Sequence, residues 1–187
     1  MSPLIIHPQD PSTDFLKPIY ASISNKTVIS GGIGKNELQK LMRNHERIIM
    51  LGHGTSLGLL SVGQFPDVGS YIIDSSSIEL LSVKKDNVFI WCDADRFVQR
   101  HRLNGFYSGM FISEVGETFY CGLYGTDWNL IKESNELFAS TVSKFINEPS
   151  GILYKNVVHE YRALAKTNPV AQYNLERLFF YDRKMDA

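Results

Sequence analysis

Residues 47–51 read Arg-Ile-Ile-Met-Leu, and residues 87–91 read Asn-Val-Phe-Ile-Trp. Each run is short and apolar after its first residue, which is typical of a central strand buried on both faces of a parallel sheet. A glycine and then His53 follow the first run, and Cys92 follows the second directly. The two runs therefore predict neighbouring strands that end close to an imidazole and a thiol.

Outside these two runs, short β-branched segments alternate with amphipathic segments, which is the pattern of βαβ units. The predicted strands are residues 4–7, 26–30, 47–51, 87–91 and 109–113, and the predicted helices are residues 10–22, 35–45 and 94–103. Asp74 and the serines after it are suited to cap a further helix. This alternation predicts an α/β fold with a mostly parallel central sheet flanked by helices.

Two segments depart from the alternation. After the glycine-rich residues 52–58, apolar residues at 59–62 and 71–73 flank a Gly/Pro-containing turn and predict a small hairpin above the sheet. Residues 127–147 and 151–181, interrupted at Pro169, have helical periodicity. We therefore predict one domain over residues 1–187, with a core at about 1–125 and a C-terminal helical extension at about 126–187.

Composition excludes several classes of protein. The chain has 187 residues, 43% hydrophobic and 21% charged, and a formal net charge of −1, so no global field attracts nucleic acid or an anionic membrane. The apolar runs are too short to cross a bilayer, and residues 1–8 do not resemble a signal peptide. Two cysteines are too few for a secreted disulfide scaffold. We predict free thiols and a cytoplasmic location.

The ends of the two central strands predict the working edge of the molecule. Parallel strands all end at the same edge, and open α/β sheets bind ligands there. His53 lies two residues past Leu51, and Cys92 precedes a predicted helix whose N-terminus would stabilise a thiolate. A thiolate and an imidazole are sufficient for covalent acyl transfer, and backbone N–H groups near Gly54 could bind the oxyanion.

The order of these segments resembles the caspase-like (clan CD) cysteine peptidase fold of caspases, metacaspases, clostripain, gingipains and CHAT domains. The resemblance consists of an apolar strand, His-Gly, a hairpin, a helix, a second apolar strand and Cys, and it covers about residues 4–113. It implies that His53 is the general acid/base and Cys92 the nucleophile, with backbone N–H groups of Gly54 and Cys92 at the oxyanion. It also implies a peptide or protein substrate, no cofactor and no metal.

Four polar residues follow the predicted strands beside this site. Asp93 and Asp95 come after the fourth strand, and Ser113 and Glu114 come at the end of the fifth. If the acids face the pocket, they favour a cationic group on the substrate, such as Arg or Lys at the cleaved bond. The alternative is that they cap helices and face solvent.

The flanks of the thiol support a second interpretation. Trp91 and Asp93 flank Cys92 in the sequence, whereas the caspase signature around the cysteine is Gln-Ala-Cys-x-Gly. A neighbouring carboxylate such as Asp93 raises the pKa of a thiol. The His-to-Cys separation is 39 residues against roughly 50 in caspases, and no acidic processing loop is evident. A catalytically inactive member of the fold that binds a small ligand or a protein partner is therefore the alternative.

Three weaker motifs complete the candidates. Residues 54–58 match the Gly-x-Ser-x-Gly elbow of serine hydrolases, with Ser56 as nucleophile and His159 as the base, although a hairpin is predicted where the elbow needs a helix. Residues 31–35 read Gly-Gly-Ile-Gly-Lys, for which a tight turn is a better account than a phosphate loop. Cys121 is interpreted as a core residue.

Overall fold

The computed structural model describes residues 2–66 and 68–186, so Met1, Asp67 and Ala187 lie outside the described part. Its strands are β1 (Leu4–Ile6), β2 (Thr27–Ile29), β3 (Ile48–Leu51), β4 (Gly54–Thr55), β5 (Gly58–Leu60), β6 (Tyr71–Ile73), β7 (Asn87–Ile90), β8 (Gly105–Ser108) and β9 (Leu178–Tyr181). Its α-helices are α1 (Pro18–Ala21), α2 (Lys35–Arg43), α3 (Ile78–Ser82), α4 (Ala94–His101), α5 (Val115–Tyr120), α6 (Trp128–Phe145), α7 (Ser150–Ala165) and α8 (Pro169–Leu175). Short 3-10 helices cover Pro11–Leu16, Ser75–Ser77 and Arg183–Asp186.

Six strands form the main sheet, in the order β2-β1-β3-β7-β8-β9. The first five are mutually parallel, and β9 pairs antiparallel with β8 at the edge. The chain goes from β1 outward to β2 and then crosses to β3 on the other side of β1, so the strand order reverses between β1 and β3. Such a reversal leaves a crevice at the carboxyl ends of the strands, where open α/β sheets bind ligands.

Helices cover both faces of this sheet because successive strand residues point to opposite faces. Ile49 and Leu51 pack with α1, α6, α7 and α8, whereas Ile48 and Met50 pack with α2, α3 and α4. All four of these side chains are fully buried. The predicted α/β architecture, with a mostly parallel sheet between helices, is confirmed.

The predicted hairpin forms a three-stranded antiparallel sheet in the order β4-β5-β6. It packs on the α2–α4 face through Leu59, Ile72 and Ile73, which are buried. In the chain, this small sheet comes between β3 and β7. In the fold, its buried side chains belong to the same hydrophobic cluster as residues of those two strands.

The predicted fifth strand at residues 109–113 is wrong. The strand is β8, which ends at Ser108, and residues 109–113 form a loop that buries Phe111 and Ile112. The backbone of Ile112 is bound at both its N–H and its carbonyl by the buried side-chain amide of Asn174. An apolar run of this length is typical of either a strand or a buried loop, because periodicity alone does not separate them.

The helical interpretation of residues 151–181 is also wrong at its end. Residues 178–181 are β9, so the C-terminal segment is not helical throughout but contributes the edge strand of the main sheet. In the first predicted helix, residues 10–22, a 3-10 turn precedes α1 instead of one continuous helix. Within residues 2–66 and 68–186, no helix has the length and apolar character needed to span a membrane.

Candidate active site

The register of the sheet brings His53 and Cys92 to equivalent positions. Leu51 of β3 pairs with Ile90 of β7, and each of the two candidate residues lies two positions beyond its strand's last pair. Both side chains line one cleft at the carboxyl edge, together with residues that include Thr13, Phe111 and Ser113. The cleft has a volume of about 20 Å³, which is room for roughly one water molecule.

His53 is oriented by a hydroxyl and a carboxylate from the start of the 3-10 helix that follows β1. Its Nε2 lies 2.7 Å from Ser12 Oγ, and Ser12 Oγ donates to Asp10 Oδ1 over 2.7 Å. A serine hydroxyl has a single proton, so Ser12 accepts from His53, and the network assigns the neutral imidazole as Nε2–H with a free lone pair on Nδ1. A base held by a third group is the arrangement that activates a nucleophile.

Asp10 is a carboxylate in this network. The side-chain and backbone hydrogen bonds from Ser12 lower the pKa of Asp10 below its ordinary value, and nearby His53 adds to the effect. Asp10 Oδ1 lies 3.8 Å from His53 Nε2, close enough to stabilise an imidazolium. Sequence reasoning missed Asp10 and Ser12, although their place just past β1, at the strand-order reversal, could have indicated them.

Cys92 is a half-buried, free thiol. Its Sγ lies 3.7 Å from the Phe111 carbonyl oxygen and 3.9 Å from Glu117 Oε1. Burial raises the pKa of the thiol from 9.0 to about 12, and the carboxylates of Glu117 and Asp93 add to the rise. Burial therefore opposes the thiolate predicted at the N-terminus of α4 and favours the protonated thiol.

Glu117 fixes the loop that closes the cleft. Its Oε2 accepts hydrogen bonds from the backbone N–H groups of Ser113 and Glu114, at 2.7 and 3.0 Å, and from Ser113 Oγ at 3.1 Å. These contacts cap α5 and leave Oε1 facing Cys92. Sequence reasoning missed Glu117 because it lies 25 residues from Cys92 and no local motif relates the two.

The four predicted pocket residues separate into two groups. Ser113 lines the cleft, as predicted, although it follows a buried loop and not a strand. Asp93, Asp95 and Glu114 are not among the described residues that line it. Asp93 faces Arg96 at 3.9 Å, and Glu114 is an exposed cap of α5. Helix capping therefore describes Glu114, and an ion pair with Arg96 describes Asp93, better than a pocket does.

Trp91 has a structural role beside the thiol. Its ring is buried, and its Nε1 donates to the carbonyl oxygen of Thr55 in β4 over 3.1 Å. Gly54 makes this possible, since a Cβ there would lie 2.1 Å from Trp91 Cδ1. Close packing thus accounts for both the tryptophan and the glycine, and the oxyanion role of Gly54 stays a prediction.

The weaker motifs receive structural explanations. Ser56 lies in the turn between β4 and β5, so a strand follows it where a nucleophile elbow needs a helix. Gly31 forms a β-bridge with Gln64, and a Cβ on Gly31 would lie 2.6 Å from Gln64 Cβ, so close packing accounts for this glycine. Cys121 is half-buried and packs beside Ile112 and Ile131.

Across the described residues, no group of three or more His, Cys, Asp or Glu side chains is placed to hold a metal ion. Comparison of the chain with protein-family models, with curated proteins and with solved structures found no match.

Proposed function

We propose that the chain is a caspase-like cysteine hydrolase acting on peptides or proteins, with Cys92 as nucleophile and His53 as general acid/base. The observation that supports this most directly is the placement of both side chains in one cleft, at equivalent positions beyond two paired parallel strands. The orientation of His53 by Ser12 and Asp10 supports it further.

The order of elements supports the family resemblance. Between the two residues the chain forms β4–β6 and then α3, so the sequence of strand, His-Gly, hairpin, helix, strand and Cys is kept. Fold alone does not determine activity, and the proposal therefore depends on the chemistry of the two side chains.

The reaction follows from a neutral thiol and a neutral imidazole. Nδ1 of His53 takes the thiol proton as sulfur attacks the acyl carbon, and the resulting imidazolium is stabilised by Asp10 through Ser12. The imidazolium then protonates the leaving amine, which departs and leaves an acyl-thioester on Cys92. Water, deprotonated by His53, hydrolyses that thioester and restores the thiol.

Substrate entry requires the loop at residues 109–114 to move. A cleft of about 20 Å³ does not hold a peptide side chain, and Phe111 and Ser113 form part of its lining. Movement of this loop would also admit solvent to Cys92, which would reduce the burial that raises the pKa of the thiol.

The test is hydrolysis of a mixed peptide library, read by mass spectrometry, with Cys92→Ala and with Cys121→Ala as the matched free-thiol control. We expect cleavage to be lost in Cys92→Ala and kept in Cys121→Ala. Unchanged cleavage of every accepted peptide by Cys92→Ala would remove the proposal.

A second candidate, a catalytically inactive binding module, is favoured by the raised pKa of Cys92 and its contact with the Glu117 carboxylate. Alkylation of the thiol near neutral pH separates the two. Rapid labelling of Cys92 that is lost in His53→Ala favours the hydrolase, whereas slow labelling that is the same in both proteins favours the binding module.

A further inference from the structure

A large cavity lies at the opposite edge of the sheet from His53 and Cys92. Its volume is about 640 Å³, and its walls are residues 43–47 and 83–86 with Asn147 and Pro149. Residues 43–47 lead into β3 and residues 83–86 lead into β7, so the same pairing that unites the carboxyl ends also unites these amino ends. Strands of four residues separate the two edges by about 13 Å.

Cationic side chains dominate the walls of this cavity, which we call the amino-edge pocket. The four lysine and arginine side chains are Arg43, Arg47, Lys84 and Lys85, against two carboxylates, Glu46 and Asp86. His45 also lines the cavity, but its ring nitrogens already contact the Leu41 carbonyl and Thr27 Oγ1. The pocket therefore has a surplus of two positive charges in a chain whose net charge is −1.

The two acids offset only part of the positive charge: Asp86 acts on Arg47, and Glu46 acts on Lys84. Asp86 Oδ1 accepts from the backbone N–H and the hydroxyl of Ser150, at 2.8 and 3.1 Å, and so is engaged at the start of α7. Glu46 is exposed to solvent. Screening by water weakens the interaction of an exposed carboxylate with its neighbours.

One donor in the pocket is buried without an acceptor. Arg47 Nε donates to the Asp86 carbonyl oxygen over 2.9 Å, yet its Nη2 is buried and has no hydrogen-bond partner among the described residues. Beside it, Lys84 is only 7% exposed and uses one of its three donors on the His45 carbonyl oxygen, at 2.5 Å. Burial lowers the pKa of both groups, because the charged forms lose hydration. Unpaired buried donors are costly, so a side-chain movement that turns Arg47 Nη2 towards an acceptor-rich anion in the pocket would stabilise this arrangement.

We propose that the amino-edge pocket binds a polyphosphate group, either as an inorganic chain or as part of a nucleotide. A phosphate chain supplies several acceptor oxygens and more than one negative charge, which matches cations converging from two adjacent segments better than a single carboxylate does. The cavity volume lies in the range of small-molecule sites. This site is separate from the proposed hydrolase site, and its test is independent of peptide cleavage.

The test is calorimetric titration with inorganic tripolyphosphate at about 0.15 M salt, where long-range attraction is screened. The double variant Arg43→Gln/Lys85→Gln removes two exposed charges that are not needed for packing, and Lys166→Gln removes an exposed lysine outside the pocket. We expect saturable binding by the unaltered chain and by Lys166→Gln, and at least about tenfold weaker binding by the double variant. Arg47→Gln should weaken binding by a similar factor or more.

Absence of saturable binding, or equal affinity in the double variant and Lys166→Gln, would overturn the proposal. Because both variants change exposed residues, a failure of Arg47→Gln to fold leaves this comparison intact. A parallel titration with adenosine triphosphate identifies the source of the phosphates: similar or tighter binding with the same residue dependence points to a nucleotide, and binding of tripolyphosphate alone points to an inorganic chain.

Discussion

At the scale of single residues, the chemistry of the site depends on how two side chains are held. The Ser12 hydroxyl accepts a hydrogen bond from His53. The Cys92 thiol contacts the carbonyl oxygen of Phe111, which lies in a loop, and the carboxylate of Glu117, which lies in α5. The contact with Ser12 sets the imidazole tautomer, whereas burial and the nearby carboxylate together favour the protonated thiol.

Replacing Ser12 with Ala should reduce peptide hydrolysis without unfolding the chain. The change removes the acceptor for His53 Nε2–H and the path from the imidazolium to Asp10, and hydrogen bonds to charged groups contribute about 1.5–3 kcal/mol. We expect kcat/KM to fall by about 10- to 100-fold, with partial recovery in Ser12→Thr, which restores a hydroxyl. Unchanged kcat/KM in Ser12→Ala would show that the network does not position the base.

Replacing Glu117 with Gln should lower the pKa of the Cys92 thiol. A nearby carboxylate opposes formation of the thiolate, so its neutralisation favours deprotonation, while burial keeps the pKa above the ordinary value. The measurement is the pH dependence of the alkylation rate of Cys92. Glu114→Gln is the control, since Glu114 is an exposed neighbour on the same helix cap, and a shift of equal size in both variants would contradict the assignment.

At the scale of elements, two contacts fix the segments that surround the cleft. The His7 ring joins β1 to the elements that follow it through Thr13 Oγ1 and the Tyr20 hydroxyl, at 3.1 and 3.0 Å. The Trp91 ring joins β4 to the end of β7.

The His7 contact predicts a loss of stability in acid. Burial lowers the pKa of His7 from 6.5 to about 4, so between these pH values the unfolded chain binds more protons than the folded one. The free energy of unfolding should therefore fall as the pH falls from 6.5 towards 4, by on the order of 3 kcal/mol for this group. Urea unfolding across that window measures it.

His7→Asn should show a smaller slope of stability against pH in the same window, and His159→Gln, which changes an exposed histidine on α7, should keep the slope of the unaltered chain. An identical slope in His7→Asn would contradict a neutral, buried imidazole.

The Trp91 contact predicts that position 54 accepts only glycine. In Gly54→Ala the new methyl group would lie 2.1 Å from Trp91 Cδ1, so the ring or the hairpin must shift. Overpacking of this kind costs about 1–3 kcal/mol. Gly116→Ala is the control, because no atom lies within 4 Å of a Cβ there and alanine is favourable inside a helix. Equal unfolding free energies for the two variants would contradict the packing account.

At the scale of the whole molecule, the sequence predicts the strands that are buried and whose signal lies in a short local run of residues. The four strands β1, β2, β3 and β7 and the antiparallel hairpin follow from apolar runs and turn residues. The edge strand β9 does not, because its pairing with β8 joins residues at least 70 positions apart and its pattern resembles the end of a helix. The run at residues 109–113 is as apolar as a strand, yet Asn174 satisfies its backbone from another element.

The candidate site could also be predicted only in part from local sequence. Parallel topology places His53 and Cys92 at one edge, and that consequence could be drawn from two strand runs alone. The partners of these residues, Ser12 and Glu117, come from segments 41 and 25 positions away, so only the folded arrangement reveals them. The raised pKa of Cys92 likewise results first from burial in the tertiary structure, to which the carboxylate of its sequence neighbour Asp93 adds.

The central claim is that Cys92 forms a covalent acyl intermediate with the help of His53. The most direct test mixes the protein with a library of peptide esters and stops the reaction rapidly with acid. Mass spectrometry of the protein's proteolytic fragments then locates any acyl group. The account predicts an acyl group on Cys92 in the unaltered chain and in Cys121→Ala, and a strongly reduced yield in His53→Ala. An unmodified Cys92 beside acylated Cys121, or an equal yield on Cys92 without His53, would contradict it.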